Sequence, residues 1–121
     1  MEQIRSYQDL KVWQHGIGIA VDCYRVTSTF PKEELYGLVS QIRRASSSVP
    51  ANIAEGHGRG STKEYAQFLR TARGSLYELE THLILSRRIG FISDESIQPL
   101  FSKIDELGRM LNALHKVIQA K

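Results

Sequence analysis

Apolar side chains recur at three- and four-residue intervals along almost the whole chain, in four long stretches divided by short breaks. This spacing places them on one face of a helix, and no stretch shows the two-residue alternation of a half-buried strand. Helices of such length joined by short connections pack antiparallel. The sequence therefore predicts one all-α domain, an up-down-up-down four-helix bundle, with helices at about residues 9–27, 32–56, 61–89 and 94–119.

Residues that start and stop helices mark the breaks between these stretches. Pro31 ends the first helix, because the residue before a proline disfavours the helical region. Ser61 followed by Glu64 predicts a capping box at the start of the third helix, and Gly90 is suited to end it. These signals support the four boundaries that the apolar spacing indicates.

The second stretch is the least regular of the four. It begins near Lys32, where acidic neighbours suit a helix N-terminus, and Leu35 is its first residue on the core face. Pro50 lies inside it, and we expect a kink there rather than an end, because the periodicity resumes at Ile53. Pro99 lies near the start of the fourth helix and allows its first turn to be a separate piece.

The composition excludes several classes of protein. No run approaches the roughly 18 apolar residues of a membrane span. The start of the chain, from Met1 to Arg5, lacks the apolar region of a secretion signal. Cys23 is the single cysteine, which excludes an internal disulfide and a metal site built from several thiolates. We expect a cytoplasmic protein that does not associate with membranes.

No pattern of residues indicates catalysis, a cofactor or a metal. The four histidines share no metal-ligand spacing. Cys23 lies on the apolar side of the first helix and has no histidine near it in sequence. Polar residues near the contact of the second and third helices are expected to bond across it, since a catalytic acid–base role has no supporting site. These residues are Asn52, Glu55, Ser75, Glu78 and Thr81.

Positive charge concentrates in the middle of a chain whose net charge is +3. On a helical wheel Lys63, Arg70 and Arg88 project outward within about 20° of one another. A basic stripe suits a sugar–phosphate backbone, and the alternative is a solvated face with local ion pairs. The candidate nucleic-acid-binding residues are Arg43, Arg44, Arg59, Lys63, Arg70, Arg73, Arg87 and Arg88.

The connection between the second and third helices contains Gly56, Gly58 and Gly60. It lacks a Walker lysine and a preceding strand, so it is neither a P-loop nor a dinucleotide fingerprint. It leads into a helix N-terminus, where free backbone amides favour an anion. Two interpretations stay open: a tight turn alone, or a turn that also contacts a phosphate through Arg59 and Lys63.

The third helix has more apolar surface than one core needs. When Ala72 is placed at the core, a second row falls on the outward side at helical spacing, as a helix–helix contact requires. The first helix has a similarly wide apolar arc. We expect a homo-oligomer, although scattered exposed apolar residues are normal. Tyr77 is the one clearly exposed aromatic residue, so we expect little base-specific binding. The predicted interface residues are Gly74, Tyr77, Thr81 and Ile84.

Five sequence blocks resemble a known family. They are YQDLKVWQ at 7–14, FPKEELYGL at 30–38, QIRRA at 41–45, NIAEG at 52–56 and GSLYELET at 74–81. In this order and spacing the chain, over about residues 5–118, resembles the bacterial four-helix-bundle proteins encoded in intervening sequences of 23S ribosomal RNA genes.

This resemblance implies a left-handed bundle that assembles into a ring, which is a homopentamer in members of this type. Members have no established catalytic activity, and their ribosomal link comes from gene location. A related accessory protein of diversity-generating retroelements has the same architecture, binds nucleic acid through a basic surface and partners a reverse transcriptase.

Residues and resemblance together favour a non-enzymatic, oligomeric accessory protein that binds the RNA or DNA backbone. The alternative is a protein-interaction scaffold that docks a partner such as a polymerase or reverse transcriptase. In that case the charges would only keep the protein soluble.

Overall fold

The computed structural model describes residues 3–121, so Met1 and Glu2 at the start of the chain lie outside the described part. Two short 3₁₀ turns, Tyr7–Asp9 and Lys32–Glu34, precede the first and second long helices. Residues 3–121 contain no strand, and the fold is the all-α four-helix bundle that the periodicity predicts. The helices are α1 Lys11–Thr27, α2 Leu38–His57, α3 Thr62–Ile89 and α4 Asp94–Gln119.

Side-chain caps fix where α3 and α4 begin. The Ser61 hydroxyl accepts a hydrogen bond from the Glu64 amide at 3.2 Å and donates one to the Glu64 carboxylate at 3.1 Å. The Ser93 hydroxyl likewise accepts a hydrogen bond from the Ser96 amide at 3.2 Å. Gly90, at φ +91°, ends α3 in the left-handed conformation that glycine adopts without strain. The resulting short connections hold consecutive helices antiparallel.

Helix α2 begins later than the periodicity predicts, at Leu38 rather than near residue 32. Gly37 precedes it with φ −111° and ψ −113°, outside the helical region. The Glu34 carboxylate accepts a hydrogen bond from the Leu38 amide at 3.2 Å, which satisfies one of the free amides at the start of the helix. As a result Leu35, which the spacing assigns to the core, is 48% exposed, and Tyr36 is 91% exposed.

Both interior prolines lie within continuous helices, because α2 runs through Pro50 and α4 through Pro99. Pro50 is buried and lies against Gly16 of α1, where a β-carbon would be 3.4 Å from the proline ring. The missing side chain at Gly16 lets α1 and α2 approach closely at this level.

The core lies between the four helices, and its residues follow the three-four spacing on each of them. Helices α2 and α3 make the most extensive contact. Small residues allow it: Ala45 and Ala72 are completely buried, and Gly56 faces Phe68. Cys23 of α1 is also completely buried, and this burial raises the pKa of its thiol to about 12. The α2–α3 pair is therefore the closest-packed part of the bundle.

Candidate nucleic-acid interface

Three of the eight predicted phosphate-binding cations form ion pairs with carboxylates. The pairs are Arg44 with Glu78, Arg59 with Glu55 at 2.6 Å, and Arg87 with Asp94 at 3.6 Å. All three lie at the surface, where such a pair contributes little to stability. The carboxylates nevertheless offset the charge that a phosphate would meet. These three residues fit the interpretation of a solvated face with local ion pairs.

Arg43 keeps an uncompensated charge, although its guanidinium is held in place. Its Nε donates to the Thr27 hydroxyl at 3.0 Å, and its Nη2 donates to the Tyr24 carbonyl oxygen at 3.4 Å. The guanidinium carbon lies 4.6 Å from the centre of the Tyr24 ring, which is a cation–π contact. Each of these partners is neutral, so the charge is positioned but not offset.

Arg70 and Arg73 extend from α3 toward α4. Arg70 Nη1 lies 3.2 Å from His115 Nε2, and Arg73 donates to the side-chain carbonyl oxygen of Asn112. Desolvation, followed by the charges of Arg70 and Arg73, lowers the pKa of His115 from its ordinary 6.5. A neutral imidazole is therefore favoured there, and the positive charge of this corner comes from the two arginines.

Lys63 and Arg88 are exposed on the outer side of α3. Within residues 3–121, neither forms an ion pair with an acidic side chain. Together with Arg70 they form the outward line that the helical wheel predicts. The eight cations are thus divided. Arg44, Arg59 and Arg87 pair with carboxylates, and Arg43 bonds to α1. Arg73 and the guanidinium of the otherwise exposed Arg70 contact α4, and Lys63 and Arg88 face solvent.

The glycine-rich connection has the contacts of a tight turn. Gly58 closes the end of α2 with amide bonds to the carbonyl oxygens of Ala54 and Glu55, and Gly60 has φ +84°. The Arg59 side chain is engaged by Glu55 and lies 5.0 Å from the centre of the Phe68 ring. These contacts favour the interpretation of the connection as a turn alone.

Of the five polar residues expected to bond across the α2–α3 contact, Ser75 and Glu78 do so. For the other three the expectation is wrong: Asn52 bonds within α2, Glu55 pairs with Arg59, and the Thr81 hydroxyl donates to the Tyr77 carbonyl oxygen of its own helix. The Ser48 and Ser75 hydroxyls are 2.9 Å apart, and the Asn52 amide nitrogen donates to the Ser48 carbonyl oxygen at 2.8 Å. Glu78 accepts from Arg44, and His82 Nε2 lies 3.4 Å from the same carboxylate oxygen. The Ser48–Ser75 and Arg44–Glu78 bonds join the two helices and fix their register.

The predicted interface residues of α3 occupy the same outer side as the cations. Gly74 and Thr81 are exposed, Tyr77 is 55% exposed, and Ile84 is half-buried. Leu85, which the apolar spacing does not single out, is 48% exposed on this helix. The two predicted uses of α3, self-association and phosphate contact, therefore share one face of the helix.

Tyr24 and Tyr36 are functional candidates that the sequence pattern does not reveal. Tyr24 is 49% exposed and Tyr36 is 91% exposed, so the expectation that Tyr77 is the one exposed aromatic residue is wrong. For Tyr36 the cause is local: α2 begins only at Leu38, so Tyr36 lies in the connection, outside the helical face to which the spacing assigns its neighbours. The glycine at position 37 was the available signal for this break.

The described residues define a helical bundle with a divided cationic surface. Residues 3–121 contain no group of three or more histidine, cysteine or acidic residues placed to hold a metal ion. None of the helices in this part of the chain combines the length and apolar character needed to cross a membrane.

The chain belongs to the 23S rRNA-intervening sequence protein family, whose family model matches residues 8–113. This confirms the resemblance carried by the five sequence blocks. A crystal structure of a protein with unknown function from the S23 ribosomal protein family of Bacteroides thetaiotaomicron is similar to this chain, with a TM-score of 0.78 and 23% sequence identity. The match covers 87% of this chain and 98% of that one, and at this identity it supports the fold alone. No curated protein matches the sequence.

Proposed function

We propose that this protein is a non-enzymatic, oligomeric accessory protein that binds RNA or DNA through the phosphate backbone. The observation that carries the proposal is the set of candidate cations, five of the eight, that have no carboxylate partner among the described residues. A cation whose charge is not offset gains most when a phosphate replaces water and releases a counterion. The set consists of Arg43, Lys63, Arg70, Arg73 and Arg88.

The outer face of α3 has a length that suits a nucleic-acid backbone. Lys63 and Arg88 are separated by roughly 37 Å at the rise of an α-helix. This is close to the length of about 34–36 Å of one turn of B-DNA. Contacts of this kind position the backbone and read no bases, so the proposed binding has little sequence preference.

Self-association supports the same function, because it multiplies a small charge per copy. The exposed centre of the α3 face, from Gly74 to Leu85, contains Tyr77 and Thr81 on its outer side and no lysine or arginine. Lys63 and Arg88 lie toward the ends of the helix, so a copy docked on the centre leaves room for phosphates at the ends. We take the homopentameric ring from the resemblance as the assembly to test, by light scattering on the purified protein.

A fluorescence-anisotropy titration with structured RNA at low and moderate salt tests the proposal. Binding at low salt that weakens steeply with added salt is the expected result, and no binding at low salt would defeat it. Replacing both Lys63 and Arg88 by glutamine should reduce the slope of log K against log salt by about 2. Arg109→Gln is the matched control, because Arg109 is exposed on α4 and pairs with Asp105 at 2.8 Å.

The alternative function is a scaffold that docks a protein partner without contacting nucleic acid. The apolar side chains exposed on α3, among them Leu85 and Ile89, favour it as a second candidate. A pull-down that still recovers a specific protein after nuclease treatment, from a chain that gives no anisotropy change with RNA, would support the scaffold.

A further inference from the structure

The connection between α1 and α2 forms a groove with exposed aromatic rings and a cation. One open depression of about 350 Å³ lies beside Tyr24 and Tyr36, and a second adjoins it beside Phe30. Both depressions share three lining residues, so they form one continuous feature. We call it the tyrosine groove, and its principal lining residues are Tyr24, Lys32, Leu35, Tyr36, Val39 and Arg43.

We infer that the tyrosine groove binds single-stranded nucleic acid, with bases stacked on the tyrosines and a phosphate at Arg43. The inference rests on the proposed function and specifies which form of nucleic acid this part of the surface accepts. The line of cations on α3 has no such aromatic companions apart from Tyr77, and a duplex suits it equally well.

Exposed aromatic rings are the first reason. Tyr36 presents 91% of its surface to solvent and Tyr24 presents 49%. A base can stack on an aromatic ring only when the face of the base is free, as it is in single strands and loops. Leu35, which lines the same depression and is 48% exposed, adds apolar surface against which a base can lie.

Charge is the second reason. Arg43 lines both depressions, and its hydrogen bonds go to a hydroxyl and a carbonyl oxygen, so its full charge is available. Lys32 is exposed at the edge of the groove. Of the nearby acids, the Glu34 carboxylate already accepts a bond from the α2 N-terminus, and Glu33 is exposed to solvent. An anionic ligand between the two depressions therefore meets a guanidinium that is held in place, with one face against the Tyr24 ring.

Position is the third reason. The groove lies where α1 and α2 meet, whereas the exposed centre of the α3 face contains Tyr77 and Leu85 on a helix that packs between α2 and α4. A second copy docked on the α3 face would leave the groove open. Single-stranded nucleic acid in the groove and self-association through the α3 face therefore do not compete for the same residues.

The test compares a labelled single-stranded oligouridylate with an RNA duplex of equal length in anisotropy titrations of the full chain at low salt. Tyr36→Ala should weaken single-strand binding at least about fivefold, the lower end for loss of one base–aromatic stack. Duplex binding should stay unchanged. Tyr36→Phe is the matched control, because it keeps the ring and should keep the affinity. Since Tyr36 is almost fully exposed, the variants should retain the circular dichroism of the parent.

Photo-cross-linking to an iodouridine-substituted strand gives an independent readout, with adducts expected at Tyr24 or Tyr36. Equal affinity of Tyr36→Ala and the parent for the single strand, or adducts only at Tyr77, would overturn the inference while leaving the proposed function intact. If Tyr36→Ala changed the mass found by sedimentation but not the affinity for the single strand, the groove would be a contact between copies of the protein. That result would also overturn the inference. Absence of binding to both RNAs would defeat the inference and the proposed function together.

Discussion

Replacing Gly56 by alanine should destabilise the protein, because this glycine allows α2 and α3 to approach each other. A β-carbon at position 56 would lie 2.6 Å from the β-carbon of Phe68 and 3.3 Å from Cδ1 of Tyr65. Carbon atoms in contact are normally about 3.5–4.0 Å apart. The shortfall of roughly 1 Å cannot be relieved by a rotamer change, because the Phe68 β-carbon is attached directly to the backbone of α3.

Two opposing effects set the size of the change in stability. Overpacking of a well-packed core costs about 1–3 kcal/mol. Alanine is preferred to glycine inside a helix by about 1 kcal/mol at most, and less near the helix end where Gly56 lies. The clash outweighs this preference, so we expect a net loss of about 1–2 kcal/mol in the free energy of unfolding.

Urea unfolding followed by circular dichroism measures this loss, at one fixed protein concentration because self-association shifts apparent stability. Gly18→Ala is the control: position 18 lies inside α1, and a β-carbon there meets nothing within 4 Å. It should therefore stabilise the protein by about 0.5–1 kcal/mol. The reasoning is refuted if Gly56→Ala is as stable as the parent while Gly18→Ala shows its expected gain.

Three further perturbations follow from the described contacts. By NMR the pKa of His115 should lie below 6.5, so the stability of the protein should fall as the pH drops through 6.5. Arg70→Gln should raise the pKa of His115 toward 6.5, and an unchanged pKa in this variant would contradict the contact. Native Cys23 should resist a thiol reagent at mildly alkaline pH until the protein unfolds, because burial raises its pKa to about 12, and rapid labelling of folded protein would disprove this. Glu78→Gln should change stability by less than about 1 kcal/mol and raise RNA affinity by freeing Arg44, whereas weaker binding would argue against a phosphate role for Arg44.

The sequence predicted the bundle because the strongest signals were periodic and local. The apolar spacing, the serine cap at Ser61 and the glycine at Gly90 act within one helix or at its ends, and each has the predicted effect. The start of α2 was mispredicted because acidic residues near 32 suit a helix N-terminus. The helix begins only after Gly37, where the backbone leaves the helical region. A single glycine does not alter the apolar pattern, so the pattern did not reveal this later start.

The candidate site was less predictable, because the availability of a cation depends on its partners. Arg43 and Arg44 are adjacent in sequence, yet one bonds to neutral oxygens of α1 and the other to a carboxylate of α3. The side chains of two consecutive residues point about 100° apart on a helix, toward different neighbours. Which neighbour carries a carboxylate is a property of the assembled bundle, so a count of charges along the chain overestimates the phosphate-binding surface.

Salt separates the two proposed uses of the α3 face. A copy docked on Tyr77 and Leu85 places Lys63 and Arg88 of both copies around one assembly, and like charges repel. Added salt screens this repulsion and leaves the apolar contact intact, so self-association should strengthen with salt. Nucleic-acid binding should weaken over the same range, because counterion release drives it. Sedimentation and anisotropy measured along one salt series should therefore give opposite trends, and self-association that weakens with salt would show that ion pairs, rather than the apolar centre of α3, hold the copies together.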